Sequence, residues 1–531
     1  MSQSSPHRSA PRPAAALAAV VRIALALILP VASSSAASKT GRALPGQIPK
    51  TPPALAGFPI PFHRTTDYRP REGKVLAADL EHDGNVDLVL SLPAGILDVI
   101  RSNGTEAPGW PHVLFGADLD GDGVPDPLPQ PAYPYGAPGV GDLDGVGAQE
   151  IVTCVVSGSN PRRSFLFAFH ADGSTVQGWP VELGSPDGDN FACSPSGVLM
   201  ADLDGDGRAE VVRAMTDGTV RAYAGNGGLL WRWPPDGQGR LRGINADLAA
   251  ADLDGDGGDE VIVVESGLEP RLVALSGDGQ ARPVHVMPGF PRVLLGIVDQ
   301  QAPAVSDLDG RGHPDVVQST RPFTGAFLAP VLSPGNGGSP ESLEPIGPIP
   351  PAEPAKLHVI GSDGSDSPGW PRVLSAGGPW GAVVADLTGD GRPEILQEDG
   401  DLLYAFDAWG AVLPGFPFAP HRDFLRADAT LASPWRVADL DGDSTPDLLQ
   451  ARSDIYSGSA YLRLFGLRTT GQSLKGFPFE VAGLMAASDP VVVDLSGDGV
   501  PDLVILATEG SNGSYTLLGW DLGGLLPGQA P

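Results

Sequence analysis

Asp202, Asp204, Asp206 and Glu210 hold positions one, three, five and nine of the segment Asp-Leu-Asp-Gly-Asp-Gly-Arg-Ala-Glu, which runs straight into the apolar Val211 and Val212. Carboxylates packed this closely repel one another unless a cation stands among them. An all-oxygen donor set on a short loop suits a hard divalent ion, and calcium is the expected one. Related segments begin at Asp79, Asp118, Asp142, Asp252, Asp307, Asp386, Asp439 and Asp494.

The donor sets differ in completeness. Asp118/Asp120/Asp122/Asp126 and Asp252/Asp254/Asp256/Glu260 are full sets. Asp79/Glu81/Asp83/Asp87 and Asp439/Asp441/Asp443/Asp447 are near matches, the second with Ser444 where glycine is expected. A hydroxyl replaces one acid in Asp386/Thr388/Asp390/Glu394 and in Asp494/Ser496/Asp498/Asp502. Val146 and Arg311 take the fifth position in the copies at Asp142 and Asp307, so these two read as defective, and the Arg311 guanidinium is a ready counter-charge. About five to seven occupied calcium sites are expected, because hard cations need several oxygens. A single Asp/Gly loop is equally a turn that satisfies its own backbone; crowding of three or four acids is what argues for metal.

Elements that can present such loops must be short. The chain has 531 residues with 71 Gly and 55 Pro, too many breakers for long helices. Short apolar runs between Gly, Asp, Asn and Pro turns indicate an all-β chain, and repetition makes it one repeat array rather than several domains. A unit is legible from residue 198 to 234: a short strand into the acidic loop, a strand out of it at Glu210–Ala214, a third after Asp217-Gly218, and a fourth carrying Trp231 and Trp233. Related fourth-strand signatures are Gly57-Phe58-Pro59, Gly109-Trp110-Pro111, Gly178-Trp179-Pro180, Gly289-Phe290-Pro291, Gly369-Trp370-Pro371, Gly415-Phe416-Pro417 and Gly476-Phe477-Pro478. Proline fits an outer edge, where no ladder donor is needed, and aromatics fixed in each unit read as packing between neighbouring units.

The loop at Asp118 starts too soon before Asp142 and leads into Pro-Leu-Pro-Gln-Pro-Ala-Tyr-Pro-Tyr135, a run expected not to form an inner strand. It reads as a decoration, with Tyr133 and Tyr135 as candidate ligand contacts. Eight structural units remain. The last lacks an aromatic-Pro strand, and the N-terminal Phe58-Pro59 segment is the unused one, so the start of the chain is expected to complete the last unit. This gives a β-propeller of four-stranded blades, most simply eight, with seven as the alternative.

The loops and blades together make the chain resemble the FG-GAP/VCBS repeat proteins, among them the β-propeller of integrin α subunits. The resemblance covers about residues 56–522 and rests on the Asp-Leu-Asp-Gly-Asp-Gly-x-x-Asp/Glu loop with its following apolar strand. It implies that each loop joins the first two strands of a blade and holds calcium. An EF-hand is excluded, since its closing acid stands at position twelve, where this chain has Arg213 and Val263.

Residues 1–37 read as a secretory signal: basic residues before the apolar run Ile23–Val31, then small residues to Ala37, near which cleavage is expected. Residues 38–55 read as a Pro/Gly-rich linker, 56–522 as the propeller with inserted loops 115–136 and 320–355, and 523–531 as a tail. The net charge of -30 argues against nucleic acid as a partner, and roughly half of the 64 acidic residues lie in the nine loops, which makes the acidity a supply of metal ligands. No membrane span is expected once the signal is removed. Cys154 and Cys193 either pair or are two buried thiols. No nucleophile elbow, phosphate loop or metal-spaced histidine pair occurs. The expected function is a secreted, periplasmic or cell-surface binding or adhesion module for a protein or glycan. Its alternatives are a carbohydrate-active propeller such as a polysaccharide lyase, which needs a basic-aromatic cluster, and a structural component of envelope or matrix.

Overall fold

Turn residues divide the chain into strands that pair antiparallel with their sequence neighbours. The structure is a computed structural model and describes residues 51–62, 73–92, 95–114, 132–134, 136–157, 163–184, 193–235, 239–241, 243–323, 352–421, 429–456, 458–509 and 514–523. Blade three shows the plan: Leu199–Ala201, Glu210–Ala214, Val220–Tyr223 and Leu229–Trp233, hydrogen-bonded in that order. Eight such sheets follow one another around a propeller ring, with a two-stranded pair, Gly267–Leu268 and Ile297–Val298, beside them. In blade six the fourth strand is reduced to the bridge between Leu403 and Phe418. No α-helix occurs among the described residues.

The second strands are apolar because both their faces are covered. Asp87–Leu92 and Glu210–Ala214 are buried at every position. Their side chains pack against the next blade: Val212 and Ala214 of blade three share a cluster with Val261 and Val263 of blade four. The core therefore lies between blades, as a series of layers.

The first strand of the chain pairs with the last. Ile60–Phe62 pairs with the last strand, Tyr515–Asp521, in the register Ile60 to Leu517. Leu55 and Phe58 join a cluster that also holds Leu88 and Leu90 of blade one and Val504 and Leu506 of blade eight. The blade count is eight, which sets aside seven.

The Gly-aromatic-Pro signature locks blade to blade. The indole N–H of Trp110 donates to Ala171 O, that of Trp179 to Gly225 O and that of Trp370 to Ala408 O, each acceptor lying in the following blade. All eight aromatic-Pro bonds are cis. Gly178 sits at φ 96°, and a Cβ there would lie 2.0 Å from Asn226 O, so only glycine allows the approach.

One expectation needs correction. The proline-rich run before blade two contributes an inner strand after all: Ala132–Pro134 pairs with residues 155–157 of Glu150–Ser157. It is an edge strand, where a proline without an N–H costs no ladder bond. The signal, the decorating loop 115–131 and most of 320–355 lie outside the described residues. That last insertion is flanked by the strands Asp315–Thr320 and Ala355–Ile360.

Candidate metal centres and ligand cleft

Each acidic loop is shaped first by its own backbone. In blade three both oxygens of Asp202 accept amides, from Gly205 at 2.7 Å, Asp206 at 3.1 Å and Gly207 at 2.8 Å. Glu210, at the root of the second strand, accepts the Leu203 amide at 2.8 Å. The same clasp joins Glu150 to Leu143, Glu260 to Leu253, Glu394 to Leu387, Asp447 to Leu440 and Asp502 to Leu495. The self-satisfied turn and the ligand loop are thus one object: the amides that the first acid accepts fold the loop and bring its acids together.

They do converge. Donor atoms of Asp202, Asp204 and Asp206 lie within 4.8 Å of one another, as do those of Asp252, Asp254 and Glu260 and those of Asp439, Asp441 and Asp447. The second oxygen of Asp502 and Oδ1 of Asp441 are buried with no hydrogen-bond partner, and that of Asp447 has only the Arg468 guanidinium, 3.5 Å away. An orphaned buried carboxylate oxygen calls for a cation or a proton. Consistent with this, burial and then the surrounding acids push Glu210 up to about 7, and burial pushes Asp447 up to about 7 and Asp87 and Glu260 up to about 6. This donor chemistry fits a hard divalent ion, held by the acids at positions one and three with that at five or nine.

The weaker loops are placed as follows. Thr388 Oγ1 donates to Glu394 Oε1 at 3.4 Å, and Ser496 Oγ to Asp494 Oδ1 at 3.4 Å, so both hydroxyls face their loops. Asp386, Asp494 and Asp79 accept loop amides as Asp202 does. Asp390 and Asp498 cap the following turn through the amides of Arg392 and Val500. Arg311 pairs with Asp309 at 2.9 Å, the counter-charge expected of the blade-five loop. Asp118, Asp120, Asp122 and Asp126 lie outside the described residues, as do the side chains of Tyr133 and Tyr135.

Sequence reading missed the residues that stand across the sheet from three of the closing acids. The registers place them on the third strand or directly after: Arg468 opposite Asp447, Arg101 opposite Asp87 and His170 opposite Glu150. Arg468 reaches Asp441 at 2.6 Å, Asp443 at 2.5 Å and Asp447 at 3.5 Å. Arg101 reaches Glu81 at 3.0 Å. Two of the best acidic sets thus contain a guanidinium of their own. In blade two, read as defective, His170 compensates for Val146: Asp144, Glu150 and His170 gather within 4.8 Å, with His170 Nδ1 3.1 Å from Glu150. In blade four Arg282 pairs with Asp256 from the turn after the third strand. These partners lie too far along the chain for a motif to show them; laying out the hairpin register would have.

The opposite ends of the same strands form a cleft. Glu394 closes an acidic loop, and Asp399 ends the same strand about 17 Å away at the usual rise. Between blades six and seven, at that far end, lies a cleft of about 680 Å³ lined by Trp380, Glu398, Leu402, His421, Leu431, Gln450 and Arg452 among others. Its polar floor is ordered as a chain. Gln450 donates to Glu398 Oε1 at 2.9 Å and to Ser433 O at 2.9 Å, which turns its oxygen toward His421 Nε2 at 2.7 Å. Trp435 donates to the same Glu398 oxygen at 2.7 Å and stacks on His421. Burial, and then the Arg452 charge, hold His421 down at about 3, so the ring is neutral. Burial pushes Glu398 up.

The FG-GAP-like repeat family matches residues 202–263, the loops of blades three and four with the strands between them. No curated protein matches the sequence. Similar solved structures include the biofilm matrix protein Bap1 of V. cholerae, 14% identical over 89% of this chain and 91% of that one, TM-score 0.35. A rhamnogalacturonan lyase of Bacillus licheniformis is 15% identical over 89% and 91%, TM-score 0.41. The C-terminal domain of PilY1 from Pseudomonas aeruginosa is 12% identical over 82% and 87%, TM-score 0.35. Likeness at this level bears on no ligand and no reaction.

Proposed function

From an eight-bladed propeller with an FG-GAP-like repeat at residues 202–263, we propose that the chain is a secreted binding module, stiffened by calcium on one face and taking its ligand, a glycan or a protein, on the other. The observation that carries this reading is the division of chemistry along the second strands of blades six and seven: closing acids Glu394 and Asp447 where the strands begin, and the cleft farther along them. Calcium here has a structural task. The acids of the loops that lack a guanidinium of their own would hold it and so fix the entry of the second strand; the ion would supply charge neutralisation and rigidity. Secretion is supported by the signal-like residues 1–37 and by the disulfide between Cys154 and Cys193, a bond of oxidising compartments.

The lyase alternative asks for a base beside a cation. Arg452 is a cation in the cleft, but His421 is held neutral at about 3 with its Nε2 committed to Gln450, which makes it a poor proton acceptor near neutral pH. Binding is therefore the reading favoured over turnover.

The test uses glycan and protein arrays with the full chain in millimolar calcium, comparing a substitution on each face. Leu431→Arg, at the exposed rim of the cleft, should abolish binding to any hit, while Asp204→Asn should leave binding intact at temperatures where the protein stays folded. Binding that survives Leu431→Arg and is lost in folded Asp204→Asn would place the ligand on the metal face and overturn the proposal.

A further inference from the structure

The cleft between blades six and seven has more chemistry than packing requires, and this inference rests on the proposed binding role. Gln450 gives both amide protons away, to Glu398 and to Ser433, so its oxygen accepts from His421 Nε2–H. A neutral imidazole with its proton on Nε2 has a bare lone pair on Nδ1. That Nδ1 is buried and has no partner, and neither has Arg452 Nε–H. One acceptor and one donor are therefore left unsatisfied among residues that line the cleft. Leaving them so is unfavourable. Around them stand apolar groups: the half-buried Trp380 indole, and Leu402 and Leu431, which are 37% and 39% exposed.

Charge narrows the ligand further. Arg452 already faces Asp454, 3.9 Å away, and the cleft also holds Glu398 and Asp401, so an anion would meet carboxylates and a cation would meet the guanidinium. A purely apolar ligand would leave the two polar atoms unpaired. A hydroxyl both donates and accepts, and a ring with hydroxyls on its edge and C–H groups on its face uses an aromatic wall and a polar floor together. The volume of about 680 Å³ is that of a small-molecule site. We propose that the cleft binds a neutral pyranose, with its hydroxyls toward the polar floor at His421 and Arg452 and the sugar face against Trp380, Leu402 and Leu431.

The test is saturation-transfer NMR on the calcium-loaded full chain with methyl glycosides of glucose, galactose, mannose and N-acetylglucosamine, and with galacturonate as the anionic control. At least one neutral glycoside should receive saturation and galacturonate none. His421→Ala should weaken that binding about tenfold, the cost of one hydrogen bond to the ligand. Leu431→Arg, at an exposed position that leaves folding intact, should abolish the transfer. No transfer from any neutral glycoside, transfer from galacturonate alone, or transfer undiminished in Leu431→Arg would each overturn the proposal. A cleft-dependent protein ligand found on the arrays, with no glycoside bound here, would leave the binding role standing and remove only the sugar.

Discussion

At the residue scale, the chain sets cation against guanidinium. Arg468 stands among Asp441, Asp443 and Asp447, where a calcium ion would be drawn, and its own proton is held more tightly by those acids. Arg468→Gln is expected to free the loop, adding one calcium to the stoichiometry measured by titration calorimetry. In chelator the same substitution should cost about 1–3 kcal/mol, because buried Asp447 loses its counter-charge. An unchanged stoichiometry would mean that Arg468 does not compete. Asp98 gives a second prediction, free of metal. Burial, and then the charge of Glu106, push its carboxyl up to about 7 from 3.8. A raised acid favours the folded state when protonated, so its contribution is full below about 3.8 and is lost as pH rises toward about 7. Asp98→Asn should therefore melt a few degrees above the parent at pH 8 and level with it near pH 4. A lower melting point at pH 8 would show that the charge is needed.

At the element scale, what the sequence made legible was whatever recurs locally. The acidic loop, the apolar second strand and the Gly-aromatic-Pro fourth strand each lie within a few residues, and their count gave eight blades and the closing strand at Ile60–Phe62. What stayed hidden depends on pairing. Arg468 is opposite Asp447 only because the hairpin register puts it there, and His170 meets Glu150 for the same reason. The proline run before blade two misled because proline argues against a central strand, whereas Ala132–Pro134 sits on an edge. The cleft was illegible as well: Glu398, His421, Gln450 and Arg452 come from two blades and follow no motif. The fourth-strand glycine, by contrast, is legible once its neighbour is known. Gly178→Ala should cost more than about 1 kcal/mol, since it combines φ 96° with a Cβ only 2.0 Å from Asn226 O. A denaturant midpoint equal to the parent's would show that the blade contact gives way freely.

At the scale of the whole molecule, the layers between blades and the acidic loops act on the same strands. Each second strand is gripped by apolar neighbours along its length and by a closing acid at its root, such as Glu210 or Asp447, whose burial calls for a cation or a proton. The melting temperature of the full chain, measured in low salt with millimolar calcium and again after chelation, tests this most directly. Each site filled at a hundredfold excess over its Kd adds about 2.7 kcal/mol, and several sites acting on one ring should raise the melting temperature by about 10 °C. A drop of that order on chelation, reversed by calcium, is the predicted result; an unchanged melting temperature would contradict a structural role for metal in this propeller.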